Sequence, residues 1–471
     1  MNQTSSTSVP PNLLIILSDQ LRRHALGVYG DPDARTPHIN RMAAEGVRFE
    51  NACATSPICV PFRFSLMTGE YAHSRKVPGI EYAMSPAERT LADEFNEGGY
   101  ETIYVGKWHL DGGHGRLGSA EQVNRTRVPR SKQGRWQTWH GFELRNDPFD
   151  TWIFENDDPV PKKLPGYQTD ALFDRGMECL RNRRDKGRPF CLVISVEPPH
   201  DPFVAPPDLQ TEWEKREITL PSNFEVVDEG ERCRIIQDRK RYAAMVENLD
   251  ANVGRLRQFL GETGLAENTV VAFLSDHGEL GGAHGLERKQ WPYEESVGIP
   301  LIVLDPHHPE RAGTAIPDPV CTEDLFPTLL GLAGLRPAHR LPGLNLAPLI
   351  RGEADSLDRE GVMLEFVAEL RPEMVFSESP WRAYRSRRFK YTVRGNNLGA
   401  TPWQFFDLEA DPGERRNLLN DLGEPGDPAY AREIARHHRL LRERILETED
   451  YFVLRPAFGE PGANEWDKLP L

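Results

Sequence analysis

Five short apolar runs constrain the fold of this chain more than any other feature of its sequence. They are Leu13–Leu17, Thr102–Val105, Cys191–Val196, Val270–Leu274 and Leu301–Leu304. None alternates between apolar and polar residues, so each is typical of a strand that is buried on both faces, as in a parallel sheet. Helical segments lie between the runs. The order of strands and helices therefore predicts an α/β fold with a doubly wound, mostly parallel sheet flanked by helices.

Three of the intervening segments have clear helix signals. Thr36–Glu45 opens with Thr-Pro, and Arg89–Asn96 is followed by a Gly-Gly stop. Arg232–Glu262 is long enough for one long helix or two shorter ones. Gly113–His140 is basic and rich in Gly, which predicts a long functional loop that recognises a sugar or a second acid group, or else a solvated loop.

The chain is 471 residues long, which favours more than one packed unit. Trp381–Val393 and Gln404–Leu408 resemble antiparallel strands, and Ala431–Glu447 resembles a charged helix. We therefore expect an N-terminal catalytic α/β domain over 1–352, a smaller C-terminal α+β subdomain with a small antiparallel sheet over 353–450, and a tail over 451–471. The tail contains Phe and Trp anchors and indicates a possible homo-oligomer.

Composition excludes several classes of partner. The net charge of -15 argues against nucleic acid or an anionic membrane surface. No run approaches the roughly 20 apolar residues of a membrane span, and the first ten residues lack the basic-then-apolar order of a signal peptide. We therefore expect a cytoplasmic location. The six cysteines form no CxxC pair, so most are expected to be buried apolar residues.

Polar, ionisable residues follow four of the five apolar runs immediately. These segments are Ser18-Asp19-Gln20, Gly106-Lys107-Trp108-His109, Glu197-Pro198-Pro199-His200 and Ser275-Asp276-His277-Gly278. Any one alone would be interpreted as a helix cap or a solvated turn. Ligands of open α/β sheets bind at the carboxyl ends of the strands, so the four segments together predict one site.

The residues after the first and fourth of these strands suit a metal ion. Asp19, Gln20, Asp276 and His277 offer mostly oxygen atoms and one imidazole. That set fits a hard divalent cation such as Ca²⁺, Mg²⁺ or Mn²⁺ better than a thiolate zinc site. The alternative is that Asp19 caps the following helix and that Asp276 and His277 form a turn.

A second element of interest is Cys59-Val60-Pro61-Phe62-Arg63. Pro61 suits the first turn of a helix, so Cys59 is expected at a helix N-terminus, where the helix dipole favours negative charge. Arg63 follows four residues later, on the same face of the helix. A buried cysteine with a surface arginine, or a thiolate nucleophile, would each account for these residues.

Cys59-x-Pro61-x-Arg63, continued by Ser65-Leu66-Met67-Thr68-Gly69, resembles the signature of the type I sulfatases of the alkaline phosphatase superfamily. In that family the cysteine is oxidised to formylglycine. Further motifs of the family match along the chain, from Asn12 to about Asn417: Gly106–Leu110, Pro199-His200, Ser275–Gly278, Lys289, Tyr293-Glu294, Asp324–Thr328, Phe406–Leu408 and Asp411–Glu414. The resemblance implies an alkaline phosphatase-like fold and the hydrolysis of sulfate monoesters to an alcohol and inorganic sulfate.

The resemblance also implies roles for individual residues. A formylglycine hydrate derived from Cys59 would be the nucleophile on one divalent cation, with Ca²⁺ expected first and Mn²⁺ or Mg²⁺ as alternatives. The implied metal ligands are Asp19, Gln20, Cys59, Asp276 and His277. Arg63 and Lys107 would hold the nucleophile, His109 would take a proton from it, and His200 and Lys289 would bind the sulfate, one of them as general acid. A formylglycine-generating enzyme is an implied maturation partner.

Three departures from the family pattern leave alternatives open. Phe62 replaces a residue that is usually small, Gln20 replaces the usual Asp, and His277 replaces the usual Asn. The last two variants resemble the choline sulfatase and phosphonate monoester hydrolase branches. A phosphonate monoester or phosphodiester hydrolase is therefore an alternative, although Lys107 and His109 favour sulfate esters. A catalytically silent protein that binds sulfated ligands and a two-zinc phosphatase are others. The substrate alcohol, small molecule or carbohydrate, is not specified by the sequence.

Overall fold

The computed structural model describes residues 9–112, 125–144, 147–371, 375–396 and 399–454. These residues contain a ten-stranded sheet and a four-stranded sheet. The strands of the large sheet are β1 (Asn12–Ser18), β2 (Val47–Cys53), β3 (Glu101–Lys107), β4 (Thr138–Phe142), β5 (Trp152–Glu155), β6 (Lys162–Lys163), β7 (Phe190–Ser195), β8 (Thr269–Ser275), β9 (Leu301–Leu304) and β10 (Thr314–Cys321). Their spatial order is β10-β2-β9-β8-β1-β7-β3-β4-β5-β6.

The centre of the large sheet is parallel. Strands β8, β1, β7, β3 and β4 are neighbours that all run in one direction. The residues of β1, β7 and β8 are all buried. Helices cover both faces, as the alternation of strands and helices predicts. The expected doubly wound, mostly parallel sheet is therefore confirmed.

The prediction of a parallel strand at Leu301–Leu304 was wrong, because β9 is antiparallel to both of its neighbours, β8 and β2. An apolar run reports burial on two faces and carries no information about strand direction. One reversed strand between β8 and β2 has a useful consequence. It leaves β2 running in the same direction as β8 and β1, so the chain leaves β2 at the edge where those strands end.

The helices are α1 (Pro37–Glu45), α2 (Cys59–Thr68), α3 (Leu91–Glu97), α4 (Gln168–Arg181), α5 (Pro207–Glu214), α6 (Glu229–Glu262), α7 (Glu294–Val297), α8 (Thr322–Leu332), α9 (Ala347–Arg351) and α10 (Ala431–Glu447). The first two helix predictions agree with α1 and α3 within two residues. The third segment is one helix of 34 residues, α6, whose first turn is capped by Asp228 accepting from the Glu231 amide.

Successive side chains of β1 face the two helical layers in alternation. Leu13, Ile15 and Leu17 pack with α2 and α3, whereas Leu14 and Ile16 pack with α1, α4 and α6. Because side chains of a strand point alternately to opposite faces, a run that is apolar at every position must be covered on both sides. This arrangement explains why β1 lacks the alternation of a half-exposed strand.

The small sheet consists of β11 (Gly361–Phe366), β12 (Trp381–Ser386), β13 (Phe389–Asn396) and β14 (Gly399–Asp407), which pair antiparallel in chain order. The predicted strand Trp381–Val393 is thus a hairpin of two strands. Helix α10 has the predicted bounds and packs on this sheet through Ile434, Leu441 and Ile445. In the tail, Phe452 and Leu454 are buried in the same core, and residues 455–471 lie outside the described residues.

In the described part of the predicted loop Gly113–His140, the last three residues lie in a strand and not in a loop. Thr138–Phe142 forms β4, and the Trp136 and Trp139 side chains are fully buried. Lys132 pairs with Asp111. Residues 113–124 of that segment lie outside the described residues. In the described part of the chain, no helix has both the length and the apolar character that spanning a bilayer requires.

His73 links the segment after α2 to the small sheet through a buried ion pair. Its Nδ1 donates to Glu365 Oε2 at 2.6 Å, and its Nε2 donates to the Thr448 carbonyl at 3.1 Å. Burial lowers the pKa of His73, but Glu365, with Asp450 beyond it, outweighs burial and raises the pKa to about 9, against the opposing charge of Arg382. The imidazole is therefore charged in the folded protein.

We expect this pair to make stability fall at alkaline pH. The folded pKa lies above the unfolded value of about 6.5, so the stabilisation is complete below pH 6.5 and is lost as pH rises through about 9. The shift corresponds to a loss on the order of 3 kcal/mol in the free energy of unfolding. Urea unfolding at pH 6 and pH 10 tests this, with His73→Gln as the control. Equal pH dependence of the wild type and the variant would contradict the prediction.

Candidate active site

The four polar segments that follow the apolar runs meet at one edge of the large sheet. Registers along the parallel strands place Ser18 beside Ser275, Leu17 beside Ser195, and Gly106 beside Ser195. The residues that follow these strands therefore leave the sheet side by side. The structure thus brings the four predicted segments together at one edge of the sheet.

Helix α2 brings Cys59 to the same edge. The chain leaves β2 there, turns through the extended residue Ile58, and starts the helix at Cys59. All ten residues of α2 are buried, and the helix ends at Gly69 in a left-handed conformation with φ 76°. Cys59 therefore lies at a buried helix N-terminus, and Arg63 lies one turn further along the same face.

Four potential ligands converge at this point. Asp19, Cys59, Asp276 and His277 each offer one atom, and these atoms all lie within 4.8 Å of one another. Cys59 Sγ is 3.6 Å from Asp19 Oδ1 and 3.2 Å from His277 Nε2. His277 Nε2 is 3.4 Å from Asp19 Oδ1 and 3.5 Å from Asp276 Oδ1. All four side chains are buried.

The hydrogen bonds of His277 indicate that positive charge belongs among these atoms. Its Nδ1 lies 3.0 Å from the Gly278 carbonyl, which can only accept, so Nδ1 carries the hydrogen. Burial lowers the pKa of His277, which leaves Nε2 with a lone pair facing two carboxylates. The Cys59 thiol has one hydrogen and serves only one of these acceptors. A divalent cation bound by the four atoms would satisfy all of them.

Two buried cations hold Asp19 from the other side. Arg63 Nη2 lies 3.3 Å from Asp19 Oδ2 and 3.1 Å from Asp276 Oδ2, and Lys107 Nζ lies 2.6 Å from Asp19 Oδ2. Burial raises the pKa of Asp19, but the charges of Lys107, His200, Lys289 and Arg63 outweigh it and hold the pKa well below the usual range. The carboxylate is therefore ionised although it is fully buried.

Lys289 and His200 form the outer side of the site. Lys289 Nζ lies 3.5 Å from Cys59 Sγ and donates to His200 Nε2 at 2.9 Å. His200 Nδ1 donates to the Asp201 carbonyl at 2.6 Å, which fixes the ring and leaves Nε2 as an acceptor. Lys289 comes from the segment after β8, more than 200 residues from Cys59 in sequence. A cation and a histidine thus face the sulfur atom of Cys59.

Gln20 and His109 have contacts that differ from those of the four convergent ligands. The Gln20 side chain accepts from Lys289 Nζ at 2.7 Å and donates to Glu279 Oε2 at 2.5 Å, so in this structure its amide positions Lys289. His109 is buried, has φ 57°, and donates from its backbone amide to the Glu143 carbonyl at 2.9 Å. The roles of Gln20 as a metal ligand and of His109 as a base stay predictions.

The site also contains three residues to which the sequence analysis assigned no role. Glu197 Oε1 lies 3.3 Å from Lys107 Nζ, Ser195 Oγ accepts from Arg63 Nη1 at 2.9 Å, and Glu279 holds Gln20. Glu197 is the first ionisable residue after its strand, so its position was a usable signal. Nothing in the local sequence distinguishes Ser195 or Glu279 from other polar residues.

Comparison of the sequence with known proteins shows similarity to sulfatases. The sulfatase family model matches residues 11–335, and the model of the C-terminal part of N-sulphoglucosamine sulphohydrolase matches residues 282–437. An ulvan-active sulfatase from Formosa agariphila is 31% identical over 95% of this chain and 83% of its own length. An N-acetylglucosamine-6-O-sulfatase from Bacteroides thetaiotaomicron is 24% identical over 93% of this chain and 87% of its own length.

A solved structure shares the fold. The putative sulfatase yidJ from Bacteroides fragilis superposes with a TM-score of 0.82, covers 96% of this chain and 100% of its own, and is 24% identical. Cys59, Arg63 and Lys107 lie within the matched sulfatase segment, and so does Lys289. With the family model covering more than half of the 471 residues, the chain belongs to the sulfatase family.

Proposed function

We propose that this protein hydrolyses a sulfate monoester to an alcohol and inorganic sulfate, with formylglycine made from Cys59 as the nucleophile. One observation carries the proposal. Cys59 Sγ lies at a helix N-terminus between a cluster of metal-ligand type, Asp19, Asp276 and His277, and the cation Lys289. With a cation bound by that cluster, a nucleophile in this position would have positive charge on both sides for an anionic substrate.

The side chains present fit a divalent cation and formylglycine. Asp19, Asp276 and His277 supply two carboxylates and a neutral imidazole, and Gln20 is adjacent in sequence to Asp19. When bound, the cation and formylglycine would supply an oxygen nucleophile of lowered pKa in place of the thiol. We propose Ca²⁺ first, because carboxylate oxygens dominate the set, with Mn²⁺ or Mg²⁺ as alternatives.

The remaining site residues hold charge and move protons. Arg63 and Lys107 keep Asp19 ionised and orient residue 59, since both lie against Asp19 and Arg63 shares its helix. Lys289 Nζ is placed to bind a sulfuryl oxygen of the ester. His200 Nε2 accepts a hydrogen bond from Lys289, and Asp201 fixes the ring, so the two residues share one proton, held by Lys289. We assign both residues to sulfate binding and one of them to the protonation of the leaving oxygen. We propose that His109 accepts the proton that residue 59 loses during the reaction.

We expect metal binding to depend strongly on His277. Removal of divalent ions with a chelator should abolish activity, and titration with Ca²⁺, Mn²⁺ or Mg²⁺ should restore it. Replacing His277 with alanine should raise the ion concentration for half-maximal activity by at least about tenfold, because one of the inner ligands is lost. His307→Ala, at an exposed histidine outside the site, is the control. Activity that persists after complete removal of divalent ions would contradict the prediction.

The reaction itself is tested by a substrate pair. We expect kcat/KM for an aryl sulfate to exceed that for the matching aryl phosphodiester by at least about 100-fold, roughly 3 kcal/mol of differential transition-state stabilisation. The reason is the resemblance, because the phosphodiester branch has uncharged residues at the positions of Lys107 and His109, which this chain retains. A preference for the phosphodiester would replace the sulfatase proposal by the phosphodiesterase alternative. Binding of both compounds without turnover would favour a silent binding protein.

The natural substrate class that we propose is a sulfated carbohydrate. Supporting this choice, the relative from Bacteroides thetaiotaomicron is named for a sulfated amino sugar. The half-buried Trp291, two residues beyond Lys289, lies with Trp403 and Phe376 in an aromatic cluster. Such rings suit stacking against a sugar. A panel of sulfated monosaccharides and simple alkyl sulfates, compared by kcat/KM, tests this assignment.

A further inference from the structure

The main chain on both sides of Lys289 has a conformation that is rare for residues other than glycine. Its two neighbours, Arg288 and Gln290, have φ angles of 68° and 82°. Both angles lie in the left-handed region, which costs free energy for a residue that has a Cβ atom. Such a conformation persists only where the surrounding structure holds it. The contacts of Arg288 and Gln290 therefore indicate what keeps Lys289 in place.

The chain before Lys289 is held by residues near the site. The Arg288 amide donates to Glu279 Oε1 at 2.7 Å, and the Arg288 carbonyl accepts from the Leu280 amide at 2.8 Å. Glu279 also accepts from Gln20, whose side chain in turn accepts from Lys289 Nζ at 2.7 Å. This side of the segment therefore belongs to the site already described.

The chain after Lys289 is held at Gln290 by three hydrogen bonds. The Gln290 amide donates to the Pro57 carbonyl at 3.2 Å, and its side-chain Nε2 donates to Glu369 Oε2 at 3.0 Å. Its carbonyl accepts from Trp381 Nε1 at 2.9 Å. The side chains of Gln290, Glu369 and Trp381 are all buried, so water has little access to compete for these bonds.

Two of these three partners come from the C-terminal part of the chain. Trp381 is the first residue of β12, and Glu369 lies between β11 and β12. The fully buried Trp381 ring stacks against Phe366 of β11, which fixes the direction of its N–H group. Burial raises the pKa of Glu369, but Arg371 and then Gln290 outweigh burial and lower it, so the carboxylate is an ionised acceptor.

We propose that Trp381 and Glu369 are positioning residues, which hold Gln290 in its left-handed conformation and so keep Lys289 Nζ facing residue 59. Lys289 Nζ lies 3.5 Å from Cys59 Sγ. Relaxation of Gln290 to a negative φ would change the course of the chain beside Lys289 and displace the ammonium group. The small sheet would thus act on the reaction without contacting the substrate. The effect on catalysis rests on the proposed function, in which Lys289 binds sulfate.

Trp381→Phe tests the proposal, because it keeps an aromatic ring and removes the N–H group that donates to Gln290. We expect kcat/KM for an aryl sulfate to fall at least about tenfold, as for the loss of one buried hydrogen bond. The divalent-ion concentration for half-maximal activity should stay unchanged. In a Lys289→Ala background the same substitution should have little further effect on kcat/KM, because residues that act through one another are not additive.

Trp213→Phe is the matched control for that variant. Trp213 is fully buried, and its Nε1 donates to Glu247 on α6, outside the site, so the control should keep the wild-type kcat/KM. A pair of substitutions at Glu369 separates positioning from a general loss of structure. Glu369→Gln keeps an oxygen that accepts from Gln290 and should stay within about threefold of the wild type, whereas Glu369→Leu should lose at least about tenfold. Thermal unfolding confirms that each variant is folded.

Hydrogen exchange measured by mass spectrometry tests the proposal without turnover. The amide of Gln290 should exchange at least about tenfold faster in Trp381→Phe than in the wild type, with exchange in β1 unchanged. Unchanged exchange at Gln290 would overturn the proposal whether or not the protein hydrolyses sulfate esters. Wild-type kcat/KM in Trp381→Phe, or the same loss with and without Lys289, would also overturn it. A wild type that hydrolyses no sulfate ester would overturn the proposed function instead, and exchange would still decide whether Trp381 holds this segment.

Discussion

Replacing Cys59 with alanine is expected to lower kcat on an aryl sulfate by roughly 10⁴-fold or more, as is usual when the nucleophile of an enzyme is removed. The variant should remain folded, because the side chain is small and the rest of α2 is unchanged. Mass spectrometry of the intact peptide across Cys59 should show an aldehyde in the active wild type. The measurements are steady-state rates and peptide masses on the same preparations.

Cys233 provides the matched control for that experiment. It is exposed on α6, outside the site, so Cys233→Ala should retain wild-type kcat. Full activity in a preparation whose residue 59 is an unmodified thiol would contradict the formylglycine mechanism while leaving the family assignment intact. Full activity of Cys59→Ala would remove Cys59 from the reaction altogether.

Replacing Lys107 with methionine is expected to lower the free energy of unfolding by about 3–5 kcal/mol, because it removes one of the two cations that pair with buried Asp19. Lys107 Nζ is fully buried and lies 2.6 Å from Asp19 and 3.3 Å from Glu197. Burial lowers the pKa of Lys107, but Asp19, then Cys59 and Glu197, outweigh burial and raise it, so the side chain is charged in the wild type. Activity should fall at least about 100-fold, since Lys107 also orients Asp19.

Urea unfolding in the presence of divalent ions, carried out on the wild type, Lys107→Met and Lys162→Met, measures how far each substitution lowers the free energy of unfolding. Lys162 also pairs with a carboxylate, Glu155, but its side chain is 45% exposed. Exposed pairs of this kind contribute about 0–1 kcal/mol, so Lys162→Met should be close to the wild type. Equal stability of the two variants would show that the Lys107–Asp19 pair does not contribute to folding.

The central strands were predictable from sequence because their environment is uniform. Each residue of β1, β7 and β8 is buried, so an unbroken apolar segment in the sequence indicates each of these strands directly. β2 and β10 escaped prediction because both mix buried and partly exposed positions, with polar residues among them. The direction of β9 was not predictable, because direction follows from the connection after β8 and not from the residues of the strand.

The candidate site was predictable where its residues lie within one local motif. Cys59 and Arg63 are one helical turn apart, and Asp276 and His277 are adjacent, so their relation is fixed by secondary structure. The contacts between these motifs join residues that are far apart in the sequence, so they were not predictable. Lys289 reaches Gln20 across 269 residues, and Gln20 reaches Glu279 across 259. Only the folded chain shows that Gln20 orients a lysine here.

The complete burial of α2 also limits when residue 59 can be altered. Cys59 is 2% exposed, and all nine other residues of its helix are buried as well. An enzyme that modifies Cys59 has to reach its sulfur atom, and the folded protein leaves almost none of the residue exposed. If formylglycine is made here, it must be made while the chain is still unfolded, and 218 positions separate Cys59 from His277. Chain elongation then sets the time available, since ribosomes add about 5–20 residues per second.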